Sequence, residues 1–214
     1  MGTLSASGTS RREEIALAKP ATARLARFPR FMLRPTKQLF RAHQKMNGPW
    51  WFSSNGSGGF DLTGSKGTCY LADSAAAALR EALGAPLVTA GVIDLTELED
   101  RVISVLTVEN PLSLADTTSP KAANHGITKE ISTVGYAVPQ AWAKAWAAEG
   151  MDGVRYAGRF STAHKDRCYA LFGPAGASPA LADPAPQPAA KVAEKAGIRI
   201  VSRPASVTIV QPPS

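Results

Sequence analysis

Apolar and polar residues alternate over short stretches of this chain, and only a few segments carry the wider spacing of a helix. Residues 39–43 (LFRAH) alternate as a short strand with Arg41 and His43 on one face. Residues 67–72 (GTCYLA) form a second strand, rich in side chains that fit a pleated, buried surface. Asp73 or Ser74 caps a helix over 75–83, which Gly84 and Pro86 end. Residues 87–95 read as a strand, 96–99 as a helical turn and 101–108 as a strand again. The segment 111–136 is mixed, with one helix around 120–125. A proline near the first turn and Gly150 as stop delimit a helix over 139–148. Residues 153–156 and 167–172 are two strands joined by a polar loop, and 198–201 with 207–210 read as a closing strand pair. Strands outnumber helices and the order is mixed, so the fold class is α+β, a compact mixed sheet with short helices.

The same pattern divides the chain. Residues 1–35 read as a mobile basic leader, because Pro20, Pro29 and Pro35 cut it into pieces too short for a stable helix. Residues 36–175 form the body. Residues 176–214 comprise an Ala/Pro-rich linker to about Ala190 and the strand pair. Inside the body, 47–66 is a long glycine- and serine-rich loop, and loops of that length are usually functional or disordered; Trp50 and Trp51 argue against disorder.

Charge changes this picture little. The net charge is +7, but ten of the 24 Lys and Arg residues lie between Arg11 and Lys45, against only Glu13 and Glu14. A basic leader on a nearly neutral body is a solvated arm, or a means of drawing in an acidic partner or a polyphosphate substrate. No interleaved aromatics accompany the charge, which argues against nucleic acid as partner. No apolar run is long enough for a bilayer and the N-terminus shows no secretory signal. Cys69 and Cys168 both sit in apolar runs, where a buried reduced thiol is expected, so the cytoplasm is the simplest compartment.

Candidate chemistry concentrates in residues 58–84 (GGFDLTGSKGTCYLADSAAAALREALG). Gly58, Gly59, Gly64 and Gly67 let the backbone turn tightly and bring amide groups to a ligand. Tyr70 follows on a strand, and Glu81 lies on the next helix, on a face otherwise made of alanine. A fixed carboxylate beside an aromatic ring suits stabilisation of the cationic sugar that forms when a glycosidic bond breaks. The plainer reading of Glu81 is a solvent-facing residue paired with Arg80. The glycines match neither the dinucleotide nor the P-loop fingerprint. His125 and His164 have no partner at metal-ligand spacing and the cysteines form no C-x-x-C, so no metal is expected. Trp142 and Trp146, four apart on one helix face, read as core.

Several of these pieces occur together, in order: LFRAH (39–43), PWWFSS and GGFD (49–61), GTCYLA (67–72), AALREALG (77–84), DGVRY (152–156) and YALFG (169–173). Over about 135 residues this run resembles a RES domain, the toxin half of a toxin–antitoxin pair. The resemblance implies a fold similar to ADP-ribosylating toxins and cleavage of the nicotinamide–ribose bond of NAD, with NAD as substrate, no cofactor, and water or phosphate as acceptor. Carried over, Tyr70 would stack on or hydrogen-bond to the nicotinamide ribose and Glu81 would orient it and steady its oxocarbenium-like state. Arg41 and His43 would face the pyrophosphate, beside Gly58, Gly59 and Phe60.

This chain departs from the family's pattern twice. Gly59 stands where the family usually has arginine, and Ala157-Gly158-Arg159 stands where its serine is expected. Ser161 would substitute for the serine, and Arg159 or the basic leader for the arginine. Two rival readings follow, ADP-ribose transfer to a protein and a family member that binds NAD without turnover. The implied partner is an antitoxin protein; self-association into a homo-oligomer is left open.

Overall fold

The structure, a computed structural model, describes residues 20, 22–133, 135–161, 166–178, 183 and 185–202. A 3-10 turn, Thr22–Arg27, leads into β1 (Arg30–Leu33), β2 (Leu39–Gln44), β3 (Trp51–Phe52) and β4 (Lys66–Ala72). Helices α1 (Ala75–Leu83) and α2 (Ala85–Ala90) follow, then β5 (Ile93–Asp94), α3 (Thr96–Glu99), β6 (Arg101–Leu106) and β7 (Leu112–Asp116). Two 3-10 turns, Pro120–His125 and Lys129–Ser132, precede α4 (Ala137–Ala148). The chain closes with β8 (Gly153–Ala157), β9 (Arg167–Pro174), β10 (Gly176–Ala177), β11 (Gln187–Pro188), α5 (Ala189–Lys195) and β12 (Ile200–Val201).

Among the described residues the main sheet has eight strands in the order β1-β7-β8-β9-β4-β2-β6-β11. Only β7 and β8 run parallel within it, joined through α4. The fold is therefore mixed α+β. Alternation along the strands separates two apolar faces. On one, Phe28, Phe60, Trp142, Trp146 and Tyr156 pack together beneath α4. On the other lie Leu39, Trp50, Phe52, Cys69, Leu71, Tyr169 and Leu171. A third cluster joins Leu79 and Leu83 of α1 to Val192 and Ala193 of α5. The Trp142 and Trp146 rings stand 5.3 Å apart, both buried, as core residues at helical spacing.

One irregularity in the sheet positions the site. β4 pairs with β9 over seven register positions, but with β2 only at Phe40–Ala72. Beyond that pair β2 stays with β6, to which it is paired from Leu39 to Gln44, and the sheet splits between β2 and β4. Ala42 and Tyr70, which would be the next same-face pair, instead border a cavity.

Four sequence expectations differ from the fold. Residues 87–95 are not one strand: Pro86 starts α2, Gly91 ends it with φ 67°, and only Ile93 and Asp94 are extended. The mixed segment hides β7, whose Leu114 and Ala115 are buried between β1 and β8. The leader is not free throughout, since Leu25, Phe28 and Leu33 are core residues and β1 pairs with β7. The tail is not a plain linker either. β11 pairs with β6, α5 buries Ala189, Val192 and Ala193, and Ile200 pairs in parallel with Ile93. The strand expected over 207–210, the start of the leader and His164 lie outside the described residues.

Candidate active site

Helix α1 sets the direction of Glu81. Ser74, rather than Asp73, caps it by accepting the Ala77 N–H at 3.1 Å. Asp73 is engaged elsewhere, by Lys37 Nζ and the Tyr169 hydroxyl, each at 2.8 Å. Ala78, Glu81 and Ala82 then share one face at i, i+3 and i+4, and all three line the cavity. The pairing with Arg80 does not form. Arg80 points the other way and donates to the Ala196 carbonyl at 3.0 Å, closing the end of α5. Glu81 Oε1 accepts the Phe160 N–H at 2.7 Å. Burial pushes the Glu81 carboxyl above its ordinary value, opposed by the backbone of Phe160 and Arg159 and by the Arg159 guanidinium. A Cβ on Gly158 would lie 2.8 Å from Glu81 Oε1, so the glycine leaves the carboxylate its room.

Strand β4 presents Tyr70 to the same cavity. Its hydroxyl donates to Asp61 Oδ1 at 2.8 Å and accepts the Phe60 N–H at 2.9 Å. Burial, and then the Asp61 carboxylate, push the phenol well above its ordinary value. With the hydroxyl committed twice, the ring is what Tyr70 offers a ligand. Asp61 is 0% exposed and its second oxygen accepts the Gly58 N–H at 3.0 Å. The loop after β3 is thus bound onto β4 through Tyr70, and a Cβ on Gly58 would overlap the Tyr70 hydroxyl and the Asp61 carboxylate.

The cavity holds about 400 Å³, within the usual range of small-molecule sites. Glu81, Tyr70, Asp61, Gly58, Gly59, Phe60 and Arg159 line it, together with Ser132, Tyr136 and Tyr156. Arg159 is its one cation among the described residues, its guanidinium 5.3 Å from the Phe160 ring. Tyr156 packs against Phe60 at 4.9 Å, and burial raises its phenol far above the ordinary value.

Three expected residues are not brought in. Arg41 and His43 lie on the opposite face of β2 from Ala42. The Arg41 guanidinium donates to the carbonyls of Pro49 and Trp51 at 2.7 and 2.8 Å and to Cys69 Sγ at 2.7 Å, filling the back of the split between β2 and β4. His43 is buried, its Nε2 hydrogen-bonded to the Ser104 hydroxyl at 2.9 Å and its Nδ1 to the Gln44 carbonyl. Burial lowers its pKa. Ser161 does not line the cavity and donates to Asp166. His125 packs against Phe28 at 5.0 Å. No cluster of three metal-ligating side chains occurs among the described residues, and no helix there is long and apolar enough to cross a membrane.

Asp61, Tyr136, Tyr156 and Gln140 were not among the site residues expected from the sequence. Asp61 belongs to GGFD and Tyr156 to DGVRY, two of the motifs that carry the family resemblance. Tyr136 and Gln140 belong to none of them, and their approach depends on how α4 docks.

The family model of the RES domain matches residues 38–191. The chain belongs to the RES domain family. The match runs through β11 into α5, in keeping with the packing of those residues on the RES body. A comparison with the curated proteins finds no match. Among solved structures, this RES chain is similar to a chain in the crystal structure of the M. tuberculosis MbcT-MbcA toxin-antitoxin complex. That likeness has a TM-score of 0.52 at 18% identity and covers 71% of this chain and 80% of the other. At that identity it is a likeness of fold.

Proposed function

We propose that this protein binds NAD in the cavity between β2 and β4 and cleaves the nicotinamide–ribose bond, with water or phosphate as acceptor. The observation that carries the reading is the convergence of a buried-side carboxylate, Glu81, and an aromatic ring, Tyr70, with a glycine loop on one cavity. Family membership supports it. Loss of nicotinamide leaves positive charge on the ribose. The Glu81 carboxylate, held by the Phe160 amide, offers a positioned anion for that charge and an acceptor for ribose hydroxyls. Tyr70 forms a rigid wall against which the ribose packs, and Arg159 supplies the cation for a phosphate oxygen. Because the similar solved structure is a toxin-antitoxin complex, the partner in this reading is a protein that closes over the cavity mouth.

Incubation of purified protein with NAD, with and without phosphate, tests this by following nicotinamide release and labelling of added proteins. Free nicotinamide without labelled protein is the expected result. Labelled protein would move the assignment to ADP-ribosyl transfer, and NAD binding without any release would overturn both enzymatic readings.

The pH profile follows from Glu81. The carboxylate is the working form, so activity is lost as pH falls through its raised pKa. The acid limb of kcat/KM, which reports the free enzyme, is expected above the ordinary glutamate value of about 4.3. Arg159→Gln removes an opposing cation and should move that limb further up; an unchanged limb would detach it from Glu81.

Arg41 has a structural part in this reading. Arg41→Met leaves two carbonyls and a thiol without their donor, which should cost about 1–3 kcal/mol of stability. KM for NAD should stay within about twofold of the parent, since the side chain lies behind the sheet. A large rise in KM with unchanged denaturation midpoint would return Arg41 to the binding site.

A further inference from the structure

The amides of the glycine loop can be accounted for one by one. Ser57 N–H donates to Asn55 Oδ1 at 3.0 Å and Gly58 N–H to Asp61 Oδ2 at 3.0 Å. Phe60 N–H goes to the Tyr70 hydroxyl at 2.9 Å, Asp61 N–H to the Gly58 carbonyl at 3.2 Å and Leu62 N–H to Thr68 Oγ1 at 3.1 Å. Between Ser57 and Leu62, the Gly59 N–H alone has no acceptor among the described residues, and Gly59 lines the cavity. A Cβ there would meet only Tyr136, at 3.8 Å, so the space beside the Gly59 Cα is open.

The Gly58–Gly59 peptide is held from its other side. Gln140, on the first turns of α4, is half-buried and does not border the cavity. Its Nε2 donates to the Gly58 carbonyl at 2.9 Å and to the Gly56 carbonyl at 2.9 Å. A trans peptide is planar, with its N–H antiparallel to its C=O, and the described chain has no cis peptide bond. Fixing the Gly58 carbonyl therefore fixes the Gly59 N–H in the opposite direction, away from Gln140.

We infer that Gln140 is a positioning residue that aims the Gly59 amide as a hydrogen-bond donor to a phosphate oxygen of the substrate. The inference rests on the NAD reading above and deepens it. It assigns the glycine loop a single donor for an anionic group, and assigns the aim of that donor to a side chain 82 residues from Gly58 in sequence. A peptide N–H aimed beforehand loses little freedom on binding, which is what makes such amides effective anion donors. Because the contact is made to bound substrate before and during bond cleavage, its loss acts on KM rather than kcat.

The test uses full-length protein, ADP-ribose as the diphosphate-bearing probe and nicotinamide as the probe without phosphate. In wild-type protein, ADP-ribose should move the Gly59 amide proton downfield in a 15N-resolved spectrum, and nicotinamide should not. Gln140→Leu should raise KM for NAD and weaken ADP-ribose binding about ten-fold, with kcat and nicotinamide binding within about twofold. Gln140→Glu, which turns an acceptor toward two carbonyls, should do so more strongly. Wild-type protein that releases nicotinamide while its Gly59 amide stays unmoved by ADP-ribose overturns the inference alone, whether or not either variant folds. Parental KM in both variants does the same. Wild-type protein that neither binds ADP-ribose nor releases nicotinamide overturns the NAD reading itself.

Discussion

Glu81→Gln is expected to lower the rate of nicotinamide release by about two to three orders of magnitude, almost entirely in kcat. The substitution keeps the shape of the side chain and an oxygen that can still accept the Phe160 N–H, now at 2.7 Å. It removes the negative charge from the place where a cationic ribose would form. Because burial already disfavours that charge, its removal should leave the denaturation midpoint unchanged or slightly raised. Steady-state release of nicotinamide, together with a thermal melt, checks both halves. A variant with parental kcat would move the reactive carboxylate elsewhere, and Asp61 is the next acid bordering the cavity.

The second large effect is expected at Gly58. In Gly58→Ala the new methyl group overlaps the Tyr70 hydroxyl and the Asp61 carboxylate. Both belong to one buried hydrogen-bonded unit, so neither moves without breaking the bond of the other. Overpacking of this kind costs about 1–3 kcal/mol, and the displaced Tyr70 ring should lower kcat/KM by at least about ten-fold. Gly59→Ala is the neighbouring control for the fold. Its methyl group meets only Tyr136 at 3.8 Å, and the melting temperature should not change. Equal melting temperatures for the two variants would show that the Tyr70–Asp61–Gly58 unit is looser than its distances imply.

The two predictions differ in how far they could be read from residues alone. The place of Glu81 on the cavity was legible in part, because an alanine helix turns an acid three and four positions from alanines toward whatever the alanines face, though the same pattern fits a solvent-facing residue. Tyr70 was legible because it alternates with Cys69 and Leu71 on a strand leaving the glycine loop. The fixed state of its hydroxyl was not, since Asp61 reaches it through a turn. For Arg41 and His43 the period of two correctly put both on one face. It carries no information on which face of the sheet meets the cavity, and they lie behind it.

Sequence by itself determined the alternation that makes a mixed sheet, the Ser74 and Gly84 caps that bound α1, and the motifs that mark the chain as a RES domain. These depend on neighbours within a few positions, where propensity and periodicity act directly. Tertiary structure alone decided the rest. The split between β2 and β4 opens because β2 is paired with β6 along its whole length but meets β4 at a single pair, and long-range pairing of that kind leaves no local trace. The docking of α5 on α1, the face of the sheet that carries the cavity, and the reach of Gln140 to the Gly58 carbonyl are likewise contacts between distant segments. Their energies arise only once the core beneath them is packed, and so they could be seen only in the folded molecule.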